Sequence, residues 1–145
     1  PLFKAPPYAL IPDDDPLSKQ ATVSLADLAS RPFIMLDLPH TRGYFEQIFK
    51  DQGLYPKIAH SSKSSEIVRS MVAGNFGVSI LNIRHSRDTG YKSVPLTGEL
   101  LAPTFGIASL KGVRPPLMSR LFIDQLERLQ ASGAFDDLGV APPAS

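Results

Sequence analysis

The chain has 145 residues, of which 43% are hydrophobic and 20% charged, with a net charge of +1 and no cysteine. This is about one domain's worth of ordinary globular sequence. It excludes disulfides, thiol catalysis and cysteine-held metals, offers no Lys/Arg cluster of the kind direct nucleic-acid binding needs, and holds no apolar run near the ~20 residues that span a bilayer.

Residues 8–11 predict a short strand closed by Pro12, which cannot donate to a ladder. Asp13-Asp-Asp-Pro16 is turn chemistry, with aspartates that bond their own backbone. A carboxylate metal site there would need a glycine and a terminal glutamate that do not follow. Ser24 caps a short helix over 25–29, with Asp27 in its first turn. Residues 33–38 form a continuous apolar strand, the kind buried on both faces. The segment Asp37-Leu-Pro-His-Thr-Arg-Gly43 opens a helix that carries Tyr44, Phe45, Ile48 and Phe49 inward and ends at Gly53.

Ile58 and Ala59 give a third strand, followed by the polar run His60-Ser-Ser-Lys-Ser-Ser65. The next helix has Ser64 as its cap, Glu66 in its first turn and an apolar stripe of Ile67, Val68, Met71 and Val72. Gly74 is expected to end it in a left-handed conformation, and Gly77 to let the backbone turn closely into the strand 78–81. The alternation implies a parallel, doubly wound sheet with right-handed crossovers. Beyond Asn82 the sequence reads as a polar connection over 83–90, strands over 92–96 and 104–110, and a periodic helix over 117–130. That helix stacks Leu121, Phe122, Gln125, Leu126 and Leu129 on one side. The tail, residues 131–145, reads as frayed.

In open α/β sheets ligands bind beyond the carboxyl ends of strands, against helix N-termini. Pro39-His-Thr-Arg42, Ser61-Ser-Lys-Ser-Ser65 and the strand end holding Asn82 and Arg84 are such places, suited to a small anion or carboxylate. Each also has a plainer reading. Thr41 and Ser64 are explained as helix caps, His40 as a loop residue, His60 and His85 as surface histidines, and Tyr44, Phe45 and Phe49 as core. Catalysis has little support. There is no Gly-x-Ser-x-Gly elbow, no His-Glu-x-x-His, no phosphate-cradling Gly-Lys-Ser/Thr loop, and the histidines at 40, 60 and 85 lack metal-site spacing.

Four motifs in order give the chain a family resemblance: Pro7-Tyr-Ala-Leu-Ile-Pro-Asp-Asp-Asp-Pro-Leu17, Val23-Ser-Leu-Ala-Asp-Leu-Ala29, Pro32-Phe-Ile-Met-Leu36, and Ser64-Ser-Glu-Ile-Val-Arg-Ser-Met-Val-Ala-Gly-Asn-Phe-Gly-Val-Ser-Ile-Leu81. Together they resemble the effector-binding domain of LysR-type transcriptional regulators, with Asp15 standing where the family's turn usually carries His. The resemblance implies a periplasmic-binding-protein-like (type II) α/β fold: a complete doubly wound lobe over 8–84, with 1–7 and 85–145 as crossover segments and part of a second, incomplete lobe. Pro1 is not an initiator methionine, so the chain is expected to start inside a longer protein.

The resemblance also implies a small-molecule effector in the cleft between lobes, touching Leu38, Pro39, His40, Thr41, Ser62, Ser64, Phe76 and Asn82. It implies a hinge near 8–11 and 83–91, and DNA contact only through an N-terminal helix-turn-helix missing from this sequence. It further implies a cytoplasmic homo-oligomer without enzymatic activity, cofactor, metal or membrane contact. With part of a lobe absent, Leu121, Phe122, Leu126 and Leu129 are expected to lose some of their cover, and so to pack against a second copy of the chain or to bury themselves non-natively. The alternative is a periplasmic-type solute-binding protein serving transport, which shares the bilobal architecture.

Overall fold

The computed structural model of the protein describes residues 1–82, 84, 90–98, 100 and 102–136. His85, most of the 83–91 connection and the last part of the tail lie outside them. The described residues form, in order, β1 (Phe3–Lys4), β2 (Tyr8–Pro12), a 3-10 turn (Pro16–Lys19), α1 (Leu25–Ala29), β3 (Phe33–Leu36), α2 (Thr41–Asp51), β4 (Ile58–Ser62), α3 (Ser65–Ala73), β5 (Ser79–Leu81), β6 (Tyr91–Pro95), β7 (Thr104–Phe105) and α4 (Leu117–Ala131).

The central layer is one sheet in the order β4-β3-β5-β2-β6. The β4–β3 ladder is parallel, and β2 pairs with β5 on one side and β6 on the other. The two parts join through a parallel bridge between Phe33 and Val78, where Ile34 N–H donates to Val78 O at 2.8 Å and Val78 N–H to Pro32 O at 2.9 Å. The Ser79 hydroxyl donates to Ile34 O at 2.7 Å, so the polar side chain buried at this seam has its acceptor.

The expectation of an all-parallel sheet is corrected. Strand β2 runs antiparallel to both its neighbours. A fully buried apolar strand carries no directional signal, because its side-chain alternation reads the same from either end. That alternation does sort the core. Ala9, Ile11, Phe33, Met35, Val78 and Ile80 face one layer, with Leu25 and Leu28 of α1 and Phe45 and Phe49 of α2. Leu10, Ile34, Leu36 and Leu81 face the other, against Val68 and Val72 of α3. Helices on both faces make the sheet doubly wound, as the sequence implied.

Several boundaries shift. Strand β3 ends at Leu36, two residues short of the expected apolar run. Strand β4 extends through His60 and Ser61 to Ser62, because backbone pairing with β3 holds an exposed, polar edge strand that composition does not reveal. Strand β7 covers only Thr104–Phe105 of the expected 104–110, pairing with β1 and stacking Phe105 on Phe3 at 5.3 Å.

Gly74 is not left-handed (φ −78°). The left-handed residue after α3 is Asn75 (φ 64°), the next-best residue type for that conformation. Gly77 does provide a close approach. Its φ is 153°, and a Cβ there would run into the Pro32 carbonyl oxygen.

Candidate functional site

Because β3, β4 and β5 run parallel, their carboxyl ends emerge on one edge of the sheet. Asp37 N–H donates to Ser62 O at 2.8 Å, which fixes the starts of α2 and α3 side by side. Antiparallel β2 enters the sheet at this same edge. Asn82, just past β5, donates through Nδ2 to Ala5 O at 3.2 Å, and Ala5 N–H donates to Pro103 O at 3.0 Å. The edge therefore gathers the carboxyl ends of β3, β4, β5 and β6, two helix starts and both segments that leave the central sheet.

A pocket of about 270 Å³ opens there, lined by His40, Thr41, Tyr44, Asn82 and Pro103. His40, not Thr41, occupies the cap position of α2. Its backbone is left-handed (φ 68°), and its side chain makes no capping bond. The expectation that Thr41 caps the helix is corrected. Thr41 is the first helical residue, its N–H already donating to Leu38 O at 3.1 Å. A left-handed non-glycine is held against an intrinsic cost of about 1–3 kcal/mol.

Of the expected contact residues, the structure brings His40, Thr41 and Asn82 to this pocket. Leu38 and Pro39 are exposed on the loop before it. Ser62 and Ser64 share the same sheet edge one strand further out. Ser62 Oγ accepts from Ser64 N–H at 3.1 Å, and Ser64 Oγ caps Ile67 N–H at 3.4 Å. The first-turn amides of Ser65 and Glu66 have no acceptor within their own helix, as at any helix start. Phe76 lies elsewhere, beyond the other end of α3, where its ring meets His60 edge-on at 5.8 Å.

Sequence reasoning assigned Tyr44 to the core and did not single out Pro103. The signal for Tyr44 was its position one helical turn after His40 and Thr41, on the same face.

Among the nearby charges, Arg42 is already paired. Arg42 Nε donates to Glu46 at 2.8 Å and its guanidinium lies 3.5 Å from Asp37, and these carboxylates hold it still more firmly protonated. Away from the site, Arg31 donates to both oxygens of Asp15, at 2.8 and 3.0 Å, and this pairing holds the Asp15 carboxyl below its usual range. The acidic turn is thus tied by an ion pair, and among the described residues no His/Cys/Asp/Glu group could hold a metal. No helix among them is long and apolar enough to cross a membrane.

Residues 1–131 match the family model of the LysR substrate binding domain, so the chain belongs to that family. A solved structure of HinK, a LysR family transcriptional regulator from Pseudomonas aeruginosa, superimposes with a TM-score of 0.74 and 37% identity, over 87% of this chain and 46% of that one. The uncharacterized HTH-type transcriptional regulator YnfL of Escherichia coli K12 is 35% identical over 80 residues, 52% of this chain and 27% of its own length. The effector binding domain of QuiR in complex with shikimate shares the fold at a TM-score of 0.71 and 22% identity, over 91% of this chain and 64% of that one. The chain thus spans about a quarter of YnfL and under half of HinK.

Proposed function

We propose that the chain is the ligand-sensing part of a LysR-type transcriptional regulator, binding a small carboxylate at the sheet edge and controlling DNA contact made elsewhere in a longer protein. The observation that carries this reading is the meeting of the segments after β3 and β5 at a pocket with a hydroxyl (Thr41), an imidazole (His40) and an amide (Asn82). A concave site with a few convergent polar groups and apolar walls is the usual form of a small-molecule site. In QuiR, a fold relative, the bound molecule is shikimate, itself a carboxylate.

Residues 8–84 act in this proposal as one lobe, while 1–7 and 85–145 supply crossovers and part of a second. The contact set is residues 38–41 with Ser62, Ser64 and Asn82; Phe76, at the far end of α3, is left out of it. Ligand binding shifts an open–closed equilibrium only by its differential affinity for the two states. The regulator works in the cytoplasm as a homo-oligomer and senses its ligand without transforming it. DNA is bound through a helix-turn-helix outside this sequence.

Calorimetric titration of the chain with a panel of small carboxylates tests the reading. Thr41→Val is expected to weaken the best ligand roughly tenfold, the scale for a lost hydrogen bond to a charged group, with the melting temperature unchanged. Absence of binding by every carboxylate tested would sink the proposal.

A further inference from the structure

The pocket's polar groups differ in sign, and Asn82 is the informative one. Its amide lies 3.2 Å from Ala5 O. A backbone carbonyl can only accept, so the amide atom facing it is Nδ2, which leaves Oδ1 and the second N–H of Nδ2 for other partners. Among the described residues Oδ1 accepts no hydrogen bond. An amide oxygen is a pure acceptor. It repels a carboxylate and satisfies a hydroxyl.

Thr41, whose side chain has no hydrogen bond among the described residues, offers a donor, and so does the His40 ring beside it. Arg42 is already held by Glu46 and Asp37 and does not compete for the anion. Tyr44 and Pro103 supply ring-bearing walls between the two polar ends.

We infer that the ligand is a hydroxy acid on a compact carbon frame, its carboxylate toward His40 and Thr41 and a hydroxyl donating to Asn82 Oδ1. This rests on the carboxylate-sensing reading above and narrows it. The volume of about 270 Å³ suits one ring with its substituents rather than a long chain. A site built to pair a hydroxyl penalises the analogue without it, because the acceptor then loses its partner.

The test is calorimetry on the full chain with matched pairs: benzoate against its 2-, 3- and 4-hydroxy derivatives, and cyclohexanecarboxylate against its hydroxylated derivatives. At least one hydroxy acid is expected to bind roughly tenfold more tightly than its parent, within the range of a single hydrogen bond. In Asn82→Ala that ratio falls to near one. In Asn82→Asp, which keeps the acceptor, the ratio persists while both affinities drop. A ratio of two ligands on one preparation does not depend on the folded fraction, so a destabilised variant still decides the matter. Parent acids that bind as well as every hydroxy derivative, or a hydroxyl advantage that survives Asn82→Ala, overturn this inference alone. Binding of no acid at all overturns the carboxylate reading and this one with it.

Discussion

The central sheet and helix α4 obey the same amphipathic rule, yet they differ sharply in burial. Residues 8–12, 33–36 and 78–81 are almost wholly buried, with helices closed over both faces. Helix α4 is longer than any other helix here, but it has no buried residue, and Met118 and Phe122 are 75% and 64% exposed. Leu110 and Val113, ahead of it, are exposed as well. Periodicity therefore reports which side of an element is apolar; only packing tells whether that side is covered. Leu121 and Phe122 are 51% and 64% exposed and Leu126 and Leu129 are half-buried, so within one chain the first two have not buried themselves as one branch of the expectation required.

The contrast breaks most visibly by truncation. Phe33, fully buried and edge-on to Phe49 at 5.4 Å, is expected to cost about 3–5 kcal/mol as Phe33→Ala, whereas Phe122→Ala stays within about 0.5 kcal/mol. Urea unfolding of both variants checks this. Equal losses would mean that α4 is covered in solution. Next comes Gly77→Ala, which drives a methyl group into Pro32 O and forces a strained φ; a loss of about 1–3 kcal/mol in the same assay is expected.

The Asp15–Arg31 pair sharpens the comparison through pH. The folded-state pKa of Asp15 is depressed, first by its hydrogen bond to Arg31, so the stability it contributes is fully present above the unfolded value near ~3.9 and is lost as pH falls through the folded value. Asp15→Asn is expected to cost about 1–2 kcal/mol at pH 7 and progressively less as pH falls through the folded value. Unfolding free energies of both proteins across that range give the difference curve, and a constant difference would refute the assignment. Asp27, also depressed by its bond from Ser24 N–H, leaves a residual acid slope in the variant. Smallest is Ser24→Ala at about 1 kcal/mol, since Ser24 and Asp27 cap α1 reciprocally. A null result in thermal melts would show that α1 is held by Leu25 and Leu28 alone.

Much of the fold was legible because local chemistry and tertiary packing agree. Ser24 caps α1, Ser64 caps α3, and α4 ends within a residue of its expected limit. What escaped depends on partners distant in sequence. His60 and Ser61 are strand residues only because β3 lies alongside, and the reversed direction of β2 is set by where the chain enters the sheet. At the candidate site, the strand-end rule led to His40, Thr41 and Asn82. It could not show that Nδ2 of Asn82 donates to Ala5, nor that Pro103 returns to the pocket beside Ala5, since the Asn82–Ala5 contact spans 77 residues of chain and the Ala5–Pro103 contact is longer still.

The place of β2 in the middle of the sheet has a consequence for synthesis. Its partners, Ser79–Leu81 and Tyr91–Pro95, leave the ribosome long after it. At 5–20 residues per second the Ala9-Leu-Ile11 segment waits roughly 4–16 seconds with both faces open to water. A nascent chain stalled before residue 79 is therefore expected to be cut readily by protease near β2, and one carrying residue 95 clear of the tunnel to resist. Protection in the shorter chain would mean that another segment shelters β2 first. The first strand of the central sheet to be made is the one the cell has to keep from sticking until the last of its neighbours arrives.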